Sequence, residues 1–126
     1  MERMNIMEYK KLFDAEYKVM QIVWDNEPFT SRELAEICFK ELGWKKSTTY
    51  TMLKRLIEKG YTKNDNATVT SLISKEEVQK RDSKDFIEKN FEGSLYSFIA
   101  AFTSDNDLSD EEIKKIQKLI KDSKKQ

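Results

Sequence analysis

Between Gly43 and Tyr61 the chain reads GWKKSTTYTMLKRLIEKGY. Lys45, Lys46, Lys54 and Arg55 bring cations to this stretch, and Ser47, Thr48, Thr49, Tyr50 and Thr51 bring hydroxyls. Ammonium and guanidinium groups bind phosphate, while short hydroxyl side chains and a tyrosine hydrogen-bond base edges or pack on thymine methyl groups. The chemistry on offer is recognition. Catalysis has no comparable foothold, because the chain contains no histidine and a single cysteine, Cys38. Ser-His-Asp and Cys-His arrangements are thereby excluded, as are an intrachain disulfide and a structural zinc site of Cys and His. The acidic run SDNDLSDEE lacks the tight oxygen spacing of a calcium loop and suits a loop leading into a helix N-terminus. No catalytic residue, metal ligand or cofactor is expected.

The charge totals cancel, with 23 Lys and Arg against 23 Asp and Glu, so the whole chain favours no particular partner. The local balance differs. From Lys40 to Lys63 there are seven cations and two acids, a surplus of five positive charges that can draw this part of the molecule to phosphate. A chain of 126 residues with 38% hydrophobic content makes one domain, or a small domain with an appendage, around a modest core. Oligomerisation would add burial. No apolar run approaches the roughly 20 residues of a membrane span, and the N-terminal MERMNIMEYKKLF has no signal-peptide character. A cytoplasmic protein without membrane insertion is expected.

Helices must position the basic stretch. Apolar spacing predicts a first helix from about Asp14 to Asp25 with Ala15, Val19, Ile22 and Val23 inward. A second follows from about Ser31 to Leu42 with Leu34, Ile37, Cys38 and Leu42 inward, and a third from about Thr48 to Lys59 with Thr49, Met52, Leu53, Leu56 and Ile57 inward. Gly43 and Gly60 follow the second and third, where a left-handed cap favours glycine, and Gly93 breaks a later helical pattern. Pro28 marks a turn. Thr30 with Glu33, Ser74 with Glu77 and Ser109 with Glu112 have capping-box spacing. In YTKNDNATVTSLI the Asn64-Asp65-Asn66 centre reads as the turn of a short β-hairpin. Trp24, Trp44 and Cys38 read as packing residues.

This order predicts a mainly α protein. Residues 1–73 form a winged helix of three helices plus a short β-hairpin, and residues 74–126 form a helical dimerisation module. The third helix then carries the candidate DNA-binding residues Lys46, Ser47, Thr48, Tyr50, Thr51, Lys54 and Arg55, with Lys63 on the hairpin. The rings and aliphatics Phe86, Phe91, Leu95, Phe98, Ile99, Phe102, Ile113, Ile116, Leu119 and Ile120 exceed what two or three helices can bury alone. They are the candidate dimer interface, and a twofold axis would place two recognition helices on two half-sites. A flexible link near Leu72 to Ser74 would let the winged helices rotate.

DAEYKVMQIVWDNEPFTSRELAE, the WKKSTTYTMLKRLIEKGY run and FIEKNFEGSLYSFIAAFTSDNDLSDEEIKKIQKLI together resemble the BlaI/MecI family of penicillinase and methicillin-resistance repressors. The resemblance spans nearly the whole chain. It implies a dimeric winged-helix repressor of β-lactam-resistance genes that binds inverted-repeat operators with a TACA/TGTA core. Thr48, Tyr50, Thr51 and Arg55 match the family's recognition-helix positions. It also implies a third partner, a membrane β-lactam sensor protease, whose signal leads to cleavage in the C-terminal module. The matching bond here joins Ala101 and Phe102, where the family usually has Asn before the Phe. The Cys-rich C-terminal motif of related copper-responsive repressors is missing, which disfavours copper sensing. The competing readings are a winged-helix protein-interaction module, which would show no salt-dependent DNA affinity, and a ligand-sensing regulator with a pocket under the aromatic helices.

Overall fold

The computed structural model describes residues 5–124. It is mainly helical with one small sheet. The three predicted N-terminal helices are α1 (Asp14–Asn26), α2 (Ser31–Leu42) and α3 (Lys46–Glu58). The sheet contains β1 (Phe29–Thr30), β2 (Thr62–Asp65) and β3 (Thr68–Ser71), and three more helices follow: α4 (Lys75–Phe91), α5 (Leu95–Thr103) and α6 (Asp110–Asp122). The chain forms two compact units, one up to Asp82 and one from Ser83.

The first unit is a winged helix. Helix α2 starts on a complete capping box: Glu33 N donates to Thr30 Oγ1 at 3.1 Å, and Thr30 N donates to Glu33 Oε1 at 3.2 Å. It ends on Gly43 at φ +70°, in the left-handed region. The core joins Val19, Met20 and Val23 of α1, Leu34 and Cys38 of α2, Leu53 and Leu56 of α3, and Tyr61, Val69, Ile73 and Val78. Trp24 and Trp44 pack against its rim.

Four details differ from the sequence reading. Phe29 and Thr30 lie in a strand rather than a plain turn, pairing antiparallel with Val69 and Thr68, so the sheet has three strands in the order β1-β3-β2. The hairpin turns at Asn66 and Ala67, both at positive φ, and Asn64 and Asp65 are paired in β2 against Val69 and Thr68. Helix α3 begins at Lys46, two residues before the expected Thr48, because Thr48 N already donates to Lys45 O at 3.0 Å. Ile57 is 39% exposed instead of inward. At about 100° per residue it lies about 20° from the exposed Tyr50 and about 40° from the buried Leu53, at the edge of the packed stripe.

The segment around residues 72–74, expected to flex, is held in place. Ile73 is buried, and its carbonyl accepts from Trp24 Nε1 at 2.9 Å. The Ser71 N–H and hydroxyl donate to Glu27 at 2.8 Å and 3.0 Å. Val78 and Arg81 of α4 are buried in the first unit, so its packing continues beyond residue 73, where the sequence reading divided the chain, to Asp82.

In the second unit Phe86, Phe91 and Phe98 form a ring triangle with centroid separations of 5.5–5.9 Å, and Phe102 lies 6.2 Å from Phe98. Gly93 at φ +81° separates α4 from α5. No described residue of α5 or α6 is buried.

Candidate nucleic-acid interface

Helix α3 packs through Thr49, Leu53 and Leu56, all buried. Helical spacing then turns Ser47, Thr51, Lys54 and Arg55 away from the core and Tyr50 to the side, while Lys46 stands at the helix start, and all six are exposed. Thr48 is half-buried at the edge of this face. The sequence-predicted recognition residues of α3 therefore share one surface, hydroxyls toward the N-terminal half and cations at Lys46, Lys54 and Arg55. The first turn holds no acid. Its free N–H groups and Lys45 and Lys46 together favour an anion at that end. The Thr51 hydroxyl donates to Ser47 O at 3.0 Å, so its lone pairs stay open to outside donors.

Lys63 is exposed on β2, paired in register with Thr70. Between the start of α2, α3 and β2 runs an open groove of about 440 Å³, lined by Ser31, Tyr50, Leu53, Lys54, Ile57, Glu58 and Asn64. Tyr50 is 42% exposed at its edge. Ile57 and Asn64, expected in the core and in the hairpin turn, thus line this groove beside Tyr50 and Lys54. The angular position of Ile57, one turn from the buried Leu53, gave no signal of its exposure. The signal for Asn64 depended on where the hairpin turns.

A polar cluster that sequence reasoning missed fixes the far end of α3. Lys59 Nζ contacts the fully buried Glu16 Oε1 at 2.6 Å, donates to Lys11 O at 2.9 Å and lies 4.2 Å from the Phe13 ring centroid. Glu16 also accepts from Phe13 N at 2.7 Å, which caps α1. The buried Tyr61 hydroxyl donates to Lys10 O at 2.5 Å and accepts from Arg81 Nη1. Burial pushes the Tyr61 hydroxyl above its usual value, against the pull of Arg81. Burial works against the charge of Arg81, but the bonds to Tyr61 and Asp82 outweigh it and hold the guanidinium charged. Burial likewise raises the Cys38 thiol, in keeping with a core role. The only hint of this cluster in the sequence was an acid, Glu16, at the start of an otherwise apolar helix face.

The residues predicted for a dimer lie in the second unit. Phe91, Phe98, Ile99 and Ile116 are half-buried, and Phe86, Leu95, Phe102, Ile113, Leu119 and Ile120 are exposed. Phe98, Ile99, Phe102, Leu108, Ile113 and Ile116 line an apolar cleft of about 280 Å³. Ala101 and Phe102 are exposed in the last turn of α5. The Ala101 carbonyl accepts from Ser104 Oγ at 2.8 Å, and the Phe102 carbonyl from Asn106 Nδ2 at 2.9 Å. Among the described residues no helix is long and apolar enough to cross a membrane, and no group of three or more Cys, His, Asp or Glu could hold a metal ion.

Residues 12–122 match the family model described as penicillinase repressor. The methicillin resistance regulatory protein MecI of Mammaliicoccus sciuri is 28% identical over 114 residues, covering 87% of this chain and 93% of the relative. The penicillinase repressor of Bacillus licheniformis is 29% identical over 118 residues, covering 90% and 92%. The solution structure of the DNA-binding domain of the repressor BlaI aligns with 53% of this chain and 87% of its own, at 31% identity and a TM-score of 0.47.

Proposed function

The chain belongs to the penicillinase repressor family, and from that premise we propose that it is a dimeric repressor of β-lactam-resistance genes acting on an inverted-repeat operator of TACA/TGTA type. The family is one of DNA-binding repressors rather than enzymes. The observation that carries the DNA reading is the exposed face of α3, with Ser47, Tyr50 and Thr51 flanked by Lys46, Lys54 and Arg55 on a winged-helix frame. In this reading the hydroxyls and Tyr50 meet base edges, Thr48 supports them from the rim, and Lys54, Arg55 and the wing residue Lys63 meet phosphates. The apolar face of the second unit pairs with its twofold copy, which brings two α3 helices to two half-sites. Release follows from cleavage at Ala101–Phe102 under a membrane β-lactam sensor protease. That bond sits in helix with both carbonyls accepting side-chain hydrogen bonds, so cleavage requires the end of α5 to unwind.

The test is a gel shift on the inverted repeat and a scrambled duplex across a salt series. Specific binding that weakens steeply with salt supports the reading. Arg55→Ala should weaken operator binding about tenfold with an unchanged circular dichroism spectrum, equivalent to one charge-assisted contact. Equal affinity for both duplexes would reject operator recognition. The apolar cleft also favours a second reading, a ligand-sensing regulator. Thermal stabilisation by a specific compound, with no concentration dependence of Tm, would favour that reading over the dimer.

A further inference from the structure

The register of the sheet decides which β2 side chains border the groove beside α3. Strand β2 is an outer strand, paired only with β3. Asn64 pairs with Val69, which is wholly buried, so both project from the face that packs on the helices. Thr62, two residues earlier, is buried on that same face. Lys63 and Asp65 project from the other face, opposite Thr70 and Thr68. Among the exposed residues of β2, Asn64 is therefore the one that lines the groove with Tyr50 and Lys54.

Asparagine is a poor strand former, and here its amide is exposed rather than used in the core. It brings a neutral N–H donor to the rim of α3. The Lys54 ammonium and the hydroxyls of Tyr50 and Ser31 line the same groove, so donors converge from α2, α3 and β2. Beneath them the lining is apolar, with Leu53 4% exposed and Ile57 39%. Donors over an aliphatic floor suit a sugar–phosphate unit, whose phosphate oxygens accept hydrogen bonds and whose deoxyribose packs on carbon. The acid among the lining residues, Glu58, stands a turn past Lys54 and keeps phosphate to the Lys54 end.

We propose that this groove seats one sugar–phosphate unit of the bound DNA strand, and that Asn64 donates its amide N–H to the phosphate that Lys54 neutralises. Ile57 packs against the deoxyribose. The contact carries no base information; it fixes the register of α3 in the major groove. This inference rests on the DNA-binding reading and adds to it a seat shared by α3 and β2. Lys63, on the far face of β2, serves a different phosphate.

The experiment measures binding of the full chain to TACA/TGTA duplexes that carry one neutral methylphosphonate at a time. In the wild type, replacing the seated phosphate should cost about tenfold in affinity. Asn64→Ala should lose a similar factor on the natural duplex and respond severalfold less to methylphosphonate at that one position. Its salt slope should not change, because a neutral donor releases no counterion. Asn64→Asp, with the same shape and a carboxylate, should lose more than Asn64→Ala on the natural duplex and regain affinity on the methylphosphonate duplex. Thr68→Ala, on the far face of the sheet, should bind as wild type does. The proposal is overturned if Asn64→Ala binds as tightly as wild type, or if it responds to methylphosphonate as wild type does at every position. If the wild type binds a scrambled duplex as tightly as the repeat, operator recognition falls and the seat is judged on general affinity. Asn64→Ala should then still weaken binding to both duplexes, and equal affinities overturn the seat. A wild type that binds no DNA removes both readings.

Discussion

Two lysines five residues apart on the same helix and its cap show how burial separates structure from recognition. Lys54 is exposed and has no part in the core, whereas the Lys59 side chain is largely covered and neutralises Glu16, which is wholly buried. Removing one member of a buried pair leaves the other charge without compensation, at a cost of about 3–5 kcal/mol. Lys59→Ala should therefore lower the unfolding free energy by that amount, while Lys54→Ala should stay within about 0.5 kcal/mol of wild type. Their effects on DNA should be the reverse. If Lys54 contacts phosphate, Lys54→Ala reduces the salt slope of operator binding by about one unit, and a fold-retaining Lys59→Met leaves that slope unchanged. Equilibrium unfolding and a salt titration on the same variants separate the two roles. Sequence periodicity exposed one lysine but could not reveal the other. Lys54 followed from the turn of a helix, whereas the role of Lys59 depends on Glu16, Lys11 and Phe13, which lie far away in sequence and meet it only in the fold.

At the scale of elements, the legible parts were those governed by short-range rules. The three N-terminal helices, the capping box at Thr30 and Glu33, and the break at Gly93 all follow from spacing and backbone preference. The missed parts arise from pairing across the fold. Phe29 and Thr30 are too short a run to show alternation, and they become a strand because β3 offers them a partner. The hairpin turn moved to Asn66 and Ala67 because the pairing of Asn64 with Val69 and Asp65 with Thr68 outweighs the local turn preference of NDN. The N-terminal strap, residues 5–13, was likewise invisible. Tyr9 crosses Gly60 so closely that a Cβ there would stand 2.9 Å from the Tyr9 ring, and Gly60 also sits at φ +86°. Gly43 shares the positive φ but has nothing within 4 Å of its missing Cβ. Gly43→Ala should then cost only the backbone strain, about 1 kcal/mol, while Gly60→Ala should cost about 2–3 kcal/mol because it also displaces Tyr9. Thermal or chemical denaturation of the two variants reads the difference directly. Equal losses would mean that the strap contributes nothing to holding the end of α3.

At the scale of the whole molecule, the totals of 23 cations and 23 acids conceal an uneven distribution, with the positive surplus concentrated around α3. A half-site contacted by so small a surface gains strongly from being held beside a second one, because the second contact becomes intramolecular. Pairing through the second unit would supply that gain, and its exposed aliphatics allow a clean test. Leu119 is 70% exposed in the single chain. A polar substitution at so open a position should change the stability of an isolated protomer by no more than about 0.5 kcal/mol. Placed in the centre of an apolar dimer contact, the same carboxylate would be desolvated without a partner, a penalty of several kcal/mol on each side of the twofold axis. Leu119→Asp should therefore sediment as a monomer at concentrations where the wild type is a dimer, with helix content retained. It should lose the concentration dependence of Tm that a coupled dimer shows. Its affinity for the inverted repeat should fall to that of a single half-site, while single half-site binding is unchanged. A Leu119→Asp chain that still sediments as a dimer would remove this face of α6 from the interface and leave the cleft between Phe98 and Ile116 open to another occupant.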